Sequence, residues 1–241
     1  MLIGTFQVSN NNNNNENTHN ENEINININS ANINFFLNDV FYPLNNILYS
    51  SLQVNIFDIP IHNITTLDLF IKNNQFTFEY SHKLFYYMYK QITYLVKYNL
   101  AISYMDIRDI MVINGSLFFF CNSNKLYTLE NNMITINSEY EIDNIFLPIE
   151  YIDNDTIPFT TYYSSSFYSL AKIIIFCIHN NNNGNKYDDN YYINEDNLTK
   201  YKQHILLETD EIMRHYKHTK LYFMLQSCLH KNPYNRQLLL F

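Results

Sequence analysis

The chain has 241 residues, with 15 Lys+Arg against 23 Asp+Glu and a formal net charge of −8. That balance disfavours nucleic acid as a partner, because counterion release needs clustered cations. The length suits one large or two small domains with a core that needs no metal or disulfide staple, and three Gly and five Pro exclude a glycine-rich or polyproline chain.

Cys121, Cys177 and Cys228 are an odd number, widely spaced, each among apolar neighbours. They read as buried thiols of a reducing compartment, not as a disulfide framework or zinc site. The first ten residues lack the basic and apolar regions of a secretory signal. The longest apolar run, 170–178, is interrupted by Lys172 and is about half the length of a membrane span. The expectation is a soluble, intracellular, cytoplasmic protein with no membrane partner. The 40 asparagines reflect AT-rich codons as readily as function.

Residues 1–34 form an Asn-rich, low-complexity segment whose composition offers too little apolar surface to offset the entropy of ordering. The Ile24–Ile28 alternation permits a short strand, but a spacer is the preferred reading. Residues 48–61 hold two short β-rich runs. Thr65 is expected to cap a short helix over 66–72. A long helix is expected after Ser81, with Leu84, Met88, Ile92, Leu95 and Val96 on one apolar stripe, stopping near Asn99. Ile110–Ile113 and residues 117–121 flank Asn114-Gly115 and predict a hairpin. Residues 126–129 and 133–136 predict two strands around the turn at Asn131-Asn132. A nearly all-apolar helix is expected over 167–178, with Ser166 as its cap. An inserted Asn-rich loop is expected at 179–197. An amphipathic helix follows at 221–229, then the breaker Asn232-Pro233.

Four strings in this order resemble the C-terminal lobe of a protein kinase. Tyr104-Met105-Asp106-Ile107-Arg108-Asp109-Ile110-Met111 lies where kinases carry His-Arg-Asp-Leu-x-x-x-Asn. Phe146-Leu147-Pro148-Ile149-Glu150 is similar to the Ala-Pro-Glu segment, with its Pro one place early. Ser166-Phe167-Tyr168-Ser169-Leu170-Ala171 is similar to the start of the central buried helix. Cys228-Leu229-His230-Lys231-Asn232-Pro233-Tyr234-Asn235-Arg236 resembles the Cys-Leu-x-x-Asp-Pro-x-x-Arg near the end of the domain. The composition also resembles that of divergent kinase-like proteins of large AT-rich DNA viruses, which would place the chain in the host cytoplasm.

The resemblance implies an α+β, kinase-like fold. A truncated N-terminal lobe with its linker would occupy 35–65, and a mostly helical C-terminal lobe 66–241. Asp106 matches the catalytic base. The two metal-ligand positions are degenerate: Met111 replaces the Asn, and a thioether is a poor ligand for hard Mg; Asn122 replaces the Asp and lacks its charge. Tyr104-Met105 replaces the His-Arg pair, and Arg108 the usual Lys, from where it can pair with Asp106. No lysine string of the ATP site is present, and residues 3–8 (IGTFQV), with one glycine of three, read as a chance match to a glycine-rich loop. In the family the Glu and Arg of the second and fourth strings form a buried ion pair; here these are Glu150 and Arg236.

Each position has a plainer reading. Asp106 also reads as a structural cap of the turn before the hairpin, Asn122 as a turn residue, and Glu150 and Arg236 as two solvated charges. His215 and His218 read as a solvated face, and Tyr86, Tyr87 and Tyr89 as packing. The favoured reading is a catalytically inactive module that needs no cofactor or metal and binds a protein partner, such as a kinase or its substrate. The alternative is an atypical serine/threonine kinase using ATP and Mg, with Asp109 supplying a metal ligand. A decaying gene product and an unrelated helical domain stay open.

Overall fold

Thr77 starts the longest helix. Its side chain accepts a hydrogen bond from Tyr80 N (3.4 Å), and the helix runs over Phe78–Lys97. The expected start after Ser81 is therefore too late, because Thr77 takes the capping role. At the other end, Asn99 turns the chain at φ 56°. The buried face carries Leu84, Phe85, Met88, Ile92 and Leu95, with Val96 half-buried, while Tyr86 stays exposed and Tyr87 and Tyr89 pack at the edge.

The computed structural model describes residues 63–141, 144–154, 156–182, 213–214 and 216–239, plus two short N-terminal strands. In chain order the elements are β1 (Phe6–Val8), β2 (Ile24–Ile26), β3 (Ile64–Thr66), α1 (Leu67–Asn73), α2 (Phe78–Lys97), β4 (Leu100–Ile102), β5 (Ile110–Ile113), β6 (Leu117–Phe120), β7 (Leu126–Thr128), β8 (Met133–Ile136), α3 (Ile149–Ile152), β9 (Phe159–Tyr162), α4 (Ser165–Asn182) and α5 (Lys220–Cys228). This is an α+β arrangement of helices with small, mostly antiparallel sheets. The expected strands at 48–61, the linker up to residue 62, His215 and most of the Asn-rich insert lie outside the described residues.

Several local expectations need correction. Ile24–Ile26 is a strand rather than spacer, paired in parallel with Phe6–Val8. Thr65 lies in β3 and does not cap the next helix. Thr66 precedes α1, and its hydroxyl bonds the Asp68 carboxylate instead of a backbone amide. Strands β7 and β8, by contrast, form as expected around the turn at Asn131 and Asn132 (φ 50° and 63°), β7 pairing with β4 and β8 with β9. Helix α4 runs on to Asn182, so the insert cannot begin at His179. Ser166 lies inside that helix and donates to Tyr163 O (3.3 Å) rather than capping it.

The hairpin forms as its turn chemistry dictates. Asn114 and Gly115 take φ 51° and 66°, and β5 pairs with β6 from Ile110↔Phe120 to Ile113↔Leu117. Order β3-β5-β6 leaves β6 as an edge, and Gln91 of α2 covers it. Its amide Nε2 donates to Phe118 O (3.1 Å) and its Oε1 accepts from Phe120 N (3.0 Å). A primary amide thus stands in for the next strand's peptide group.

Helix α4 is apolar nearly all round, and Leu170, Ala171, Ile173, Ile174 and Cys177 are buried in the main core with α2 and α5. From α5, Leu221, Met224, Leu225 and Cys228 join it. A second cluster holds Ile134, Ile136, Leu147, Tyr151 and Phe159. Among the described residues, no helix is long and apolar enough to cross a membrane.

All three cysteines are buried and free. Burial pushes the Cys121 and Cys228 thiols up to about 12 and that of Cys177 higher still. Thiolate is the reacting species. The native protein is therefore expected to resist an aromatic disulfide reagent at mildly alkaline pH, and all three thiols to react after denaturation. Prompt labelling of the folded protein would contradict this burial.

Candidate functional site

The segment between β4 and β5 is extended and then tightens into a 3-10 turn, Ile107–Asp109. Asp106 caps that turn, accepting from Arg108 N (2.8 Å), while Asp109 reaches back to Asp106 N (2.8 Å). The two carboxylates thus satisfy each other's backbone in a capping box.

Both carboxylates are buried and each is met by a cation. Arg108 Nε and Nη2 lie 3.1 Å and 3.2 Å from Asp106 Oδ1 and Oδ2, and Asn144 Nδ2 donates to Oδ2 at 2.6 Å. Arg108 also reaches Glu141 (3.1 Å). Asp109 Oδ2 sits 2.6 Å from Lys125 Nζ, and its Oδ1 accepts from Asn122 Nδ2 at 2.7 Å. All four carboxylate oxygens therefore accept hydrogen bonds from the protein. Two of the positions singled out in the sequence, Asp106 and Asn122, both bond the Asp109 carboxylate, Asp106 through its backbone N and Asn122 through its side-chain amide, and Arg108 pairs with Asp106.

Burial alone would push the Asp106 carboxyl up, but the hydrogen bonds and charge of Arg108 outweigh it and hold it below its ordinary value. A depressed carboxyl stabilises the fold above its unfolded value, and that contribution disappears as pH falls through the folded one. Thermal melts are expected to hold steady from pH 7 to about 5 and to fall below about 4. Asp106→Asn should flatten that decline, and an unchanged acid profile in this variant would contradict the assignment. Tyr104 is held protonated, first by burial and then by the nearby negative charges of Asp109, Glu141 and Asp106.

The donor set does not fit Mg. That ion takes six oxygens at about 2.0–2.1 Å with near-octahedral geometry. Met111 is buried in β5 and brings a thioether. Asn122 turns its N–H groups toward Asp109, because its Oδ1 accepts from Asn124 N (3.2 Å). The remaining carboxylate oxygens already face Arg108 and Lys125.

Glu150, in α3, and Arg236, in the segment after α5, form a further ion pair.

 Arg236 Nη1 lies 2.6 Å from Glu150 Oε1 and Nη2 2.7 Å from Oε2, a bidentate pair. The Arg236 side chain is fully buried and that of Glu150 is 13% exposed. Ser165 Oγ donates to Glu150 Oε1 (2.6 Å), Arg236 Nε donates to His230 O (2.8 Å), and the guanidinium lies 4.9 Å from the Tyr168 ring centroid. The pair thus ties α3 and the start of α4 to the segment after α5.

Sequence reasoning missed Gln91, Lys125, Asn144, Ser165 and Tyr168. Gln91 had a signal, a polar residue on the apolar stripe of α2. Lys125 and Asn144 had none, since only folding brings them to the carboxylates. Compared with known proteins, the sequence matches no family model and no curated protein.

Proposed function

We propose that the chain is a protein-kinase-like domain that has lost phosphoryl transfer and serves as a protein-binding or scaffold module, with a kinase or a kinase substrate as the kind of partner. The order of elements supports the family reading: a long helix, the Asp106 turn, a hairpin, the Glu150 segment, a buried helix and the Arg236 segment. The observation that carries the loss of activity is the neutralisation of both carboxylates from within. Phosphoryl transfer is mostly positioning and charge stabilisation by metal ions and a catalytic carboxylate. Here Asp106 is held by Arg108 and Asn144, and Asp109 by Lys125 and Asn122.

Incubation with labelled ATP, Mg or Mn and a generic protein substrate is expected to give no phosphate transfer above background. Transfer that Asp106→Asn abolishes would overturn this reading in favour of an atypical active kinase.

A further inference from the structure

The mismatch between these carboxylates and a divalent ion has a structural resolution. We propose that the Lys125 ammonium is the resident cation of the Asp109 site, standing where the alternative, active-kinase reading would put a metal ion. The identity of the displaced ion rests on that reading; the role of the lysine does not.

Three observations carry the inference. Lys125 Nζ is 2.6 Å from Asp109 Oδ2 and 3.8 Å from the Tyr104 ring centroid, so a carboxylate and an aromatic face enclose it. That pairing suits an alkylammonium, which gains from the ring's negative face, better than an ion that demands a shell of oxygens. Second, the lysine is placed by the fold. Its backbone N donates to Asn122 O (3.2 Å) and its O accepts from Ser103 N (2.9 Å), beside the pairing of β4 with β7. Third, each buried carboxylate already has a cation against it: Asp106 faces Arg108, which the exposed Glu141 shares, and Asp109 faces Lys125. A divalent ion at Asp109 would have to displace the lysine.

The test uses the full chain and Mn as probe, followed by electron paramagnetic resonance. Wild type is expected to bind no Mn that Asp109→Asn abolishes. The double variant Lys125→Met/Asn122→Asp sets three carboxylates against one cation and is expected to bind one Mn at least about tenfold more tightly, with displacement by Mg. A folded double variant with no gain in Mn binding would overturn the proposal, as would Asp109-dependent binding by wild type. Should the double variant fail to fold, the Lys125 side-chain resonances of wild type decide. They should carry a Tyr104 ring-current shift that millimolar Mg leaves unchanged; movement with Mg, or no such shift, overturns the proposal. Phosphate transfer by a wild type that holds no Mn would sink the inactive reading alone, whereas a Mn-blind double variant sinks the lysine proposal alone.

Discussion

Arg236→Met is expected to destabilise the protein by about 3–5 kcal/mol, the usual cost of removing one partner of a buried ion pair, which is roughly 6–20 °C in melting temperature for a domain of this size. Glu150 would be left with Ser165 as its remaining side-chain donor, and the carbonyl of His230 would lose its partner. Glu150→Leu should cost a similar amount, because the fully buried guanidinium then has no counter-charge. The double variant Glu150→Leu/Arg236→Met should recover part of the loss, since replacing both partners by apolar groups is often close to neutral. A double-mutant cycle by chemical denaturation measures this coupling. Additive losses would mean that the two residues act independently despite their contact.

Gln91→Leu should have the second large effect. The side chain is nearly isosteric and sits on a buried helix face, so burial itself is little changed. What is lost is the edge cover of β6: Phe118 O and Phe120 N both lose the Gln91 amide. A buried polar group left without a partner costs about 1–3 kcal/mol, so the expected loss for the two groups is about 2–6 kcal/mol. Gln91→Glu has no donor for Phe118 O when ionised but regains one O–H donor and keeps an acceptor when protonated, so it should fall between wild type and Leu at low pH. A Leu variant as stable as wild type would show that the β6 edge needs no such cover.

Helix and hairpin positions were legible because local chemistry sets them. The spacing of Leu84, Met88, Ile92 and Leu95 fixes the buried face of α2, and Asn114-Gly115 fixes the hairpin turn. Helix starts were less legible, because Thr65, Thr66, Thr77 and Ser81 are all plausible caps and only the backbone geometry selects among them. Strand partners were illegible at β7 and β8: two runs around a turn suggest a hairpin, yet each finds its partner from far along the chain. At the site, Asp106, Asn122, Glu150 and Arg236 were visible as residue types in a familiar order. The partners Asn144 of Asp106, Ser165 of Glu150 and Lys125 of Asp109 were not, since nothing in the local sequence says which side chain each polar residue meets.

The most direct test of the account is a thermal shift of the full chain with ATP and Mg. A ligand present at 100 times its dissociation constant would stabilise the fold by about 2.7 kcal/mol. ATP and Mg together are expected to give no shift beyond that given by either alone. A saturable, Mg-dependent rise in melting temperature that Asp109→Asn or Asp106→Asn removes would contradict it.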